Sequence, residues 1–498
     1  MSKMKYLLYY NLDSKFKSDQ ASVSGDGTSV VSVVNGVAWT KDERKAYYRY
    51  LKPNSENVTS YTITIHYKDI NGNSIAPDDF VTVEGYVGKK VSKTITAKSI
   101  SGYTVITDDA KTFIINGNIE HTFKYNDTPL EEVPLTFYIL SSGTITWTSN
   151  YSYFTRAIQY SKNGGGWTTI TANTGSSTSS ISVSAGDIVK FKGDNSSYGS
   201  TSNHINCFSS STPDLRFNAY GNIMSLINST DFKNLKTFTS ASAFTGLFSG
   251  CTSLVNADGL LLPTTALTNY CYLGMFSGCT NLTTAPELPA RELAYGSCQY
   301  MFAGCTSLTA APSVLPAKTL AQSCYEYMFS GCTNLTTAPE LPARELVYRC
   351  YSGMFAGCSS LIQAPELPAE TLADSCYVVM FSRCTSLTKA PELPARELVY
   401  RCYKEMFYGC TSLTTAPELP ATTLVDWCYQ YMFEGCTSLN YVKAMFTTKP
   451  QDLYTYNWLS GVASSGTFVK NPSATWNSSI SKGVSTVPYG WDIIDATS

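Results

Sequence analysis

One stretch of sequence is written eight times between Phe244 and Phe446. Its clearest copy begins at Cys324 and reads Cys-Tyr-Glu-Tyr-Met-Phe-Ser-Gly-Cys-Thr-Asn-Leu-Thr-Thr-Ala-Pro-Glu-Leu-Pro-Ala-Arg-Glu-Leu-Val-Tyr-Arg before Cys350 opens the next copy. The second cysteines of the copies recur at a nearly constant step: Cys251, Cys279, Cys305, Cys332, Cys358, Cys384, Cys410 and Cys436. A unit this short cannot bury its own apolar face, so the period predicts a solenoid of stacked coils.

The apolar residues that recur in the copies predict the core of this solenoid. Each buried Leu, Met or Phe contributes roughly 1.5–3 kcal/mol to stability. The core ladder is expected to contain Cys332, Cys350, Met354, Phe355, Cys358 and Leu361.

Two features of each copy predict its local structure. Pro339 and Pro342 exclude a regular helix through Ala-Pro-Glu-Leu-Pro and favour a short strand with a sharp exit. Leu346, Cys350 and Met354 follow a four-residue spacing that predicts a short helix over 346–355. Gly357 then stands where the C-cap of that helix would be.

The run Met-Phe-x-Gly-Cys-Thr-Ser-Leu-Thr-x-Ala-Pro-Glu-Leu-Pro resembles the BspA-like leucine-rich repeat family. The resemblance covers the repeats from 244 to 446 and implies a surface protein with a leucine-rich repeat solenoid. The chain departs from that family by a second cysteine in each copy. Two cysteines eight positions apart in a helix are separated by about 12 Å, which is too far for a disulfide. We expect buried reduced thiols, with disulfides or metal-bound ladders as the alternatives.

Residues 1–54 predict a small β module that serves as an anchor. Val30–Val34 and Val37–Thr40 flank Asn35-Gly36, a strong hairpin signal. The alternative is a strand pair packed on the next domain. The apolar run after Met1 is too short for a secretory signal, so no export signal is expected.

Residues 55–128 resemble the MucBP, or mucin-binding-protein, repeat of bacterial surface proteins. The matching features are Tyr67-x-Asp69-x-x-Gly72-x-x-Ile75, the Gly102-Tyr103 pair and the closing Phe123-x-Tyr125. This resemblance implies contact with a glycoprotein, and a spacer role is the alternative. Asp69-x-Asn71-x-Asn73 lacks the rest of a calcium-binding loop, so a hairpin turn is expected there.

The other segments complete a multidomain chain of all-β modules, one β-grasp-like and one β-sandwich, before the solenoid. Short runs at regular spacing over 129–200 predict the β-sandwich, with Trp147 and Trp167 in its core and sugar binding as the alternative. We expect an N-terminal solenoid cap at 201–243, the solenoid at 244–446 and a C-terminal cap at 447–498. The closing strands of that cap are predicted at Trp458–Val462, Gly466–Val469 and Trp491–Ile494.

Composition argues against several functions. A net charge of −2 and an isoelectric point near 6.0 give no positive field for a phosphate backbone, so nucleic acid is not an expected partner. No apolar stretch is long enough to cross a bilayer, which predicts no membrane span. His66, His121 and His204 stand apart, and no nucleophile, metal or phosphate-binding motif occurs. We therefore expect no catalytic residues, no metal and no cofactor.

An aromatic stripe is the predicted ligand-binding face. Its residues follow the first cysteine of a copy or lie close to it, and such residues combine large contact area with little loss of side-chain entropy. The predicted residues are Tyr272, Tyr300, Tyr325, Tyr348, Tyr351, Tyr377, Tyr400, Tyr403, Trp427 and Tyr429.

The sequence thus predicts a non-enzymatic surface-binding protein whose repeat rod attaches to host glycoproteins or cell-surface ligands. Its expected partners are a protein or glycan on a host or bacterial cell surface, and other virion or surface proteins through the N-terminal module; an oligomer is left open. The expected setting is the surface of a bacteriophage virion, as a fibre or decoration protein, because no export signal is predicted. The alternatives are a BspA-like bacterial cell-surface adhesin and, in another class, a carbohydrate-active enzyme.

Overall fold

The computed structural model describes residues 30–34, 37–40, 58–69, 74–86, 91–98, 100, 104–105, 110–115, 118–126, 128–172, 179–200, 204–474, 476 and 485–497. These residues are mostly β, with strand sheets toward the N-terminus and the repeats in the C-terminal region. The chain divides into two compact units, of which the first comprises residues 1–100 and 108–125 and the second comprises residues 101–107 and 126–498. Several predictions fall on residues outside the described ranges: the Asn35-Gly36 and Asn71-Gly72 turns, the Gly102-Tyr103 pair and the rest of the N-terminal anchor. The segment after Met1, where no export signal is expected, also lies outside these ranges.

Residues 30–126 contain the predicted hairpin and a mixed sheet. Strands β1 (Val30–Val34) and β2 (Val37–Thr40) pair antiparallel, which confirms the hairpin. Six strands follow: β3 (Val58–Asp69), β4 (Ser74–Tyr86), β5 (Val91–Thr96), β6 (Thr104–Val105), β7 (Ala110–Ile115) and β8 (Ile119–Asn126). The main sheet has the order β4-β3-β8-β6, with β3 and β8 parallel at its centre, and β5 pairs with β7.

Alternating side chains of β3 and β8 form the core of this sheet. Ile63, Ile65, Tyr67, Phe123 and Tyr125 are buried, as the period of two predicts for one face of a strand. The Tyr67 hydroxyl donates to Asp79 at 2.7 Å, and the Tyr125 hydroxyl donates to the Lys98 carbonyl oxygen at 2.7 Å. Both buried phenols therefore have a partner.

The second unit opens with a two-sheet β arrangement. Its strands are β9 (Thr136–Ser141), β10 (Gly143–Ser149), β11 (Ala157–Lys162), β12 (Thr168–Thr171), β13 (Ser179–Val183), β14 (Ile188–Lys192), β15 (Asn206–Ser210) and β16 (Arg216–Asn222). One sheet has the order β13-β10-β15, and the other has the order β12-β11-β14-β9-β16 and continues into the first repeat. The strand runs predicted between residues 135 and 191 are all present.

The domain boundary predicted at residue 200 falls inside these two sheets. Strand β15 pairs with β10, and β16 pairs with β9. Strand β16 also pairs in parallel with β17 (Leu254–Asn256) and β18 (Leu260–Leu261) of the first repeat. The segment 201–243, predicted as a separate cap, therefore supplies strands to the sandwich and joins it directly to the repeats.

The two parts share one hydrophobic core. Phe208 of the sandwich lies 5.5 Å, centroid to centroid, from Phe248 of the first repeat, and the rings are nearly parallel. Phe248 then begins a column of stacked rings, one per coil, with centroids 5.3–5.7 Å apart: Phe276, Phe302, Phe329, Phe355, Phe381, Phe407 and Phe433. Such pairs contribute about 0.5–1.5 kcal/mol each beyond the burial of their area.

The predicted helix over 346–355 is wrong, because this segment is a run of consecutive turns. The amide N–H groups of Cys350, Ser352 and Met354 each donate to the carbonyl oxygen three residues earlier. The intervening amides of Tyr351 and Phe355 donate instead to the next coil, at the carbonyl oxygens of Cys376 and Met380. The amides therefore alternate along the segment: one closes a turn within its own coil, and the next donates to the following coil.

A positive φ at every fourth residue explains why the four-residue spacing resembled a helix. Arg349, Gly353 and Gly357 have φ values of 54°, 62° and 78°. Each is the third residue of a four-residue turn, which is where a type II turn requires a positive φ. Gly357 thus has the positive φ that a helix C-cap would have, but no helix precedes it.

The Pro-rich side of each coil forms weaker contacts than the predicted short strand. Between residues 262 and 440, neighbouring coils are joined there by single parallel bridges such as Val314 to Glu340 and Gln363 to Lys389. The two prolines of each copy have no N–H to donate, so a continuous ladder cannot form.

The structural repeat continues beyond Phe446, where the sequence pattern predicted a change. The short helix α1 (Asp452–Thr455) leads into another run of turns, in which Asn457 and Gly461 have positive φ, so Trp458–Val462 is not the strand that was predicted. Strands β19 (Tyr441–Ala444), β20 (Gly466–Lys470) and β21 (Trp491–Asp495) then pair in parallel. The strands predicted at Gly466–Val469 and Trp491–Ile494 are present.

Candidate binding face

The runs of turns stack into one continuous surface, which we call the turn face. In the coil that ends at Cys410, three pairs of residues reach solvent while the residues between them are buried: Tyr400-Arg401, Lys404-Glu405 and Tyr408-Gly409. The equivalent pairs of the other coils extend these into a first, second and third row along the stack. Side chains on the turn face therefore lie at about 4.8 Å per coil, the spacing of neighbouring strands.

Six of the ten tyrosine and tryptophan residues predicted to bind ligand are buried. Their relative exposure is at most 2%: Tyr272, Tyr325, Tyr351, Tyr377, Tyr403 and Tyr429. The last five stack in a column with centroids 5.8–6.0 Å apart, beside the phenylalanine column. This is a correction to the predicted stripe: the residue directly after the first cysteine points into the core, because the turns alternate inward and outward pairs.

The four remaining predicted residues do lie on the turn face. Tyr300, Tyr348 and Tyr400 are 40%, 40% and 38% exposed, and Trp427 is half-buried. Tyr300 stacks on Tyr327 of the next coil at 5.2 Å in the second row. Their role in binding stays a prediction.

Arginines accompany the first-row aromatics. The Arg349 guanidinium lies 5.2 Å from the Tyr348 ring centroid. Arg401 lies 4.8 Å from the Tyr400 ring and 4.1 Å from the Trp427 ring, and those two rings are 5.8 Å apart. Cation–π contacts of this kind hold the rings in place and leave a surface of planar groups with spare hydrogen-bond donors.

The first row alternates between two kinds of coil. Tyr295, Tyr348 and Tyr400 occupy one position in alternate coils, and Asn269, Gln322, Asp374 and Asp426 occupy it in the coils between them. Exposed tyrosines therefore recur every second coil, about 10 Å apart. After Leu-Pro-Ala, Arg-Glu alternates in the same way with Lys-Thr, Glu-Thr and Thr-Thr, so the true repeat spans two coils, which the single-copy pattern does not reveal.

The coil that ends at Cys305 has a local shift in its sequence. Its Ser297 takes the place of the first cysteine, and Cys298 takes the place of the buried tyrosine, as its amide bond to the Cys324 carbonyl oxygen shows. The tyrosine column is interrupted there, between Tyr272 and Tyr325. Tyr300 consequently belongs to the second row and not to the predicted stripe.

A second group of functional candidates was not found by sequence reasoning. Arg383, Glu405, Tyr431 and Glu434, with Tyr327, line a groove of about 680 Å³ on the turn face. The one available signal was Arg383, which stands where the neighbouring copies have Gly before the second cysteine.

Another cavity, of about 870 Å³, lies outside the turn face. It is lined by the segments around Leu-Pro-Ala in the coils from Glu370 to Pro420, including Glu392, Arg396 and Glu397. Of its carboxylates, Glu392 and Glu418 come from equivalent repeat positions one coil apart, and none of the four is distinguished as a general acid. We see no chemistry in this cavity beyond charge and hydrogen bonding.

All sixteen cysteines are free thiols, and those in the repeats are buried. All six predicted core-ladder residues are fully buried. Burial raises the pKa of the Cys350, Cys384 and Cys436 thiols to about 12, so they stay protonated and unreactive near neutral pH. Among the residues that the structure describes, no group of three metal-ligating side chains occurs.

The histidines and tryptophans of the N-terminal half have structural surroundings. His66 lies 2.9 Å from Asp78, and His204 stacks on Tyr151 at 3.9 Å. Trp147 is fully buried, as predicted. Trp167 is 41% exposed, contrary to its predicted core position, and the Lys192 ammonium covers its ring at 4.4 Å.

The fold and the turn face define a repeat protein whose stacked coils display rows of side chains on one continuous surface. Residues 62–134 match the model of the MucBP domain, and residues 216–456 match the BspA type leucine rich repeat region in six overlapping copies. A comparison with curated proteins finds no match. The chain therefore carries a MucBP domain and BspA-type leucine-rich repeats.

Both kinds of domain are typical of cell-surface or extracellular proteins that adhere or bind, and neither is an enzymatic family. In the part of the chain that can be described, helices of the length and apolarity needed to cross a bilayer are absent.

Proposed function

We propose that this protein attaches to glycoproteins or other ligands on a cell surface, and that the first row of the turn face makes the contact. The stacked coils act as a solenoid rod, with the sandwich closing one end and the strands after Phe446 closing the other. The observation that carries the proposal is the set of exposed Tyr348 and Tyr400 with half-buried Trp427, in which Arg349 lies against Tyr348 and Arg401 lies against the other two rings.

The chemistry of this set favours binding over catalysis. Tyrosine, tryptophan and arginine are the residues that most often dominate binding energy at interfaces. The described residues around them include acceptors such as Asp374 and Asp426 but no nucleophile paired with a base. A ligand would therefore be held and left unchanged.

The test is a triple variant of the full chain, Tyr348→Ser, Tyr400→Ser and Trp427→Ser, in an attachment assay on mucin-coated surfaces. We expect the variant to lose at least tenfold in affinity, because each removed aromatic anchor contributes more than about 1 kcal/mol. Tyr153→Ser is the matched control, since Tyr153 is 89% exposed but lies in the sandwich. Equal attachment by the triple variant and the wild type would refute the proposal.

The hypothesis that a bacteriophage virion carries the protein remains a prediction. It is checked by mass spectrometry of purified particles, in which the chain should be found in a fixed ratio to the other virion proteins. Its recovery only from bacterial surface fractions would favour the adhesin alternative.

A further inference from the structure

The groove on the turn face spans five coils between the second and third rows. Tyr327 lines it at one end and Tyr431 lines it at the other, four coils away. At a spacing of about 4.8 Å per coil, the two aromatic side chains are separated by roughly 20 Å along the stack. The groove thus has a defined length set by two tyrosines.

Small residues keep the groove open. Ser330, Gly331, Ala356 and Gly357 line it in the first two coils. The Tyr327 ring lies over Gly353, where an added Cβ would stand 2.2 Å from the Tyr327 ring, so any other residue at Gly353 would displace this tyrosine. The small side chains of this region therefore leave space for the groove.

Arg383 breaks the most regular column of the molecule. The equivalent residues of the other coils are glycines with φ between 70° and 78°: Gly250, Gly278, Gly304, Gly331, Gly357, Gly409, Gly435 and Gly461. Arg383 adopts the same left-handed conformation, with φ of 60°, and its exposed side chain lines the groove. That conformation is disfavoured for a residue with a Cβ, and among these nine equivalent positions Arg383 alone carries a side chain.

Two carboxyl groups stand near the Tyr431 end. The Lys404 ammonium lies 3.4 Å from Glu405, so the charge of Glu405 is balanced. Burial, with the nearby Glu405, raises the pKa of the Glu434 carboxyl. Burial, and then neighbouring groups that include Glu405, also raise the pKa of Tyr431. Glu405 lines the groove one coil before Tyr431, between its two ends.

We propose that this groove binds a short oligosaccharide, with sugar rings packed against Tyr327 and Tyr431 and hydroxyl groups bonded to Arg383, Glu405 and Glu434. Aromatic rings offer flat apolar faces, and carboxylate and guanidinium groups together accept from and donate to a hydroxyl-rich ligand. A phosphate backbone would meet two carboxylates, and a protein partner would meet no continuous apolar surface. The inference rests on the proposed attachment function and adds to the first row a second contact, of stated ligand class, on the same turn face.

The test uses the full chain and oligosaccharides released from mucin, titrated by isothermal calorimetry. Arg383→Gly restores the residue that the other coils have, so we expect its melting temperature to equal or exceed that of the wild type while its affinity falls about tenfold. Tyr431→Ala should lose a similar factor. Tyr153→Ala, an exposed tyrosine of the sandwich outside the turn face, is the control and should bind as the wild type does.

Three results would overturn the groove: wild-type affinity in both Arg383→Gly and Tyr431→Ala, no binding of any released oligosaccharide, or shortened oligosaccharides after incubation. The first two of these results would leave the proposed attachment function intact, provided that the full-length protein still binds to mucin-coated surfaces. Loss of that attachment in the wild type would instead contradict the proposed function itself.

Discussion

The second cysteine of each copy has a reason to be cysteine and not another small apolar residue. The Cys358 thiol donates to the carbonyl oxygen of Phe329 in the preceding coil at 3.1 Å. The same bond recurs at 3.0–3.1 Å in the other coils, at Cys279, Cys305, Cys332, Cys384, Cys410 and Cys436. A thiol fills the space of a small apolar side chain and also links neighbouring coils.

Replacing Cys358 with Ala should therefore lower the free energy of unfolding by about 1–2 kcal/mol, from the lost bond and the small cavity. Urea denaturation followed by circular dichroism measures the change. Cys207→Ala is the control, because Cys207 lies outside the column and is partly exposed. Equal effects of the two substitutions would show that the thiol bonds contribute nothing specific.

The third-row glycines make a different kind of contribution. An alanine at Gly357 has room, since its Cβ would lie 3.6 Å from Gly331, but its φ of 78° disfavours any side chain. We expect Gly357→Ala to destabilise by about 1 kcal/mol in thermal denaturation. Gly166→Ala meets no neighbour within 4 Å and has no positive φ, so it should leave the melting temperature nearly unchanged or raise it slightly. A loss as large at Gly166 would contradict this explanation.

Individual residues show which parts of the sequence were informative. Apolar identity placed Met354, Phe355 and Leu361 in the core without any knowledge of the backbone. It could not place Tyr351, because a four-residue apolar spacing is shared by a helix and by a run of turns, and the two put that tyrosine on different faces. The amphipathic shape of tyrosine suits both a core and a surface.

At the scale of the coil, the columns of buried thiols and phenols predict how stability depends on pH. Folding raises the pKa of the Cys350 thiol from its ordinary 9.0 to about 12. The stabilisation from keeping such thiols protonated is complete below pH 9 and is lost as pH rises toward 12, because the unfolded chain ionises first.

The urea midpoint should accordingly change little between pH 7 and about pH 8.5 and fall steeply above pH 9. A midpoint that rises between pH 9 and about pH 10.5 would contradict the burial of these groups. Cys350→Ala, which removes one such thiol, should reduce the steepness of the fall and serves as the control.

Coil structure was also where the sequence was least able to predict detail. The nearly constant period determined the stacking, since one coil must lie on the next whatever its internal conformation. The pattern of bonds inside the turns depends on φ at Arg349 and Gly353, and only the glycine among these two carries a visible preference for a positive value. The two-coil alternation was present in the sequence and required comparison of copies two apart.

At the scale of the molecule, the sandwich and the repeats are one cooperative structure. A cut at the predicted boundary of residue 243 would separate β16 from β17 and expose the phenylalanine column at Phe248. The fragments 126–243 and 244–498 should therefore aggregate or remain unfolded when expressed alone. The fragment 58–134, which contains the MucBP match, should fold by itself.

Dispersed amide spectra for 58–134, together with insolubility of the other two fragments and solubility of 126–498, would agree with this division. A folded 126–243 fragment would contradict the shared core. The boundary could not be predicted because strands β15 and β16 belong to the sandwich by pairing, although a long polar segment separates them in the chain from the strands before.

The central claim is that the turn face of the repeats, and not the MucBP domain alone, holds the ligand. Hydrogen–deuterium exchange of the full chain, with and without mucin, locates the contact directly. Slower exchange on binding should appear in the peptides that contain Tyr348, Tyr400 and Trp427. Slower exchange confined to residues 62–134, with the repeats unchanged, would contradict the account.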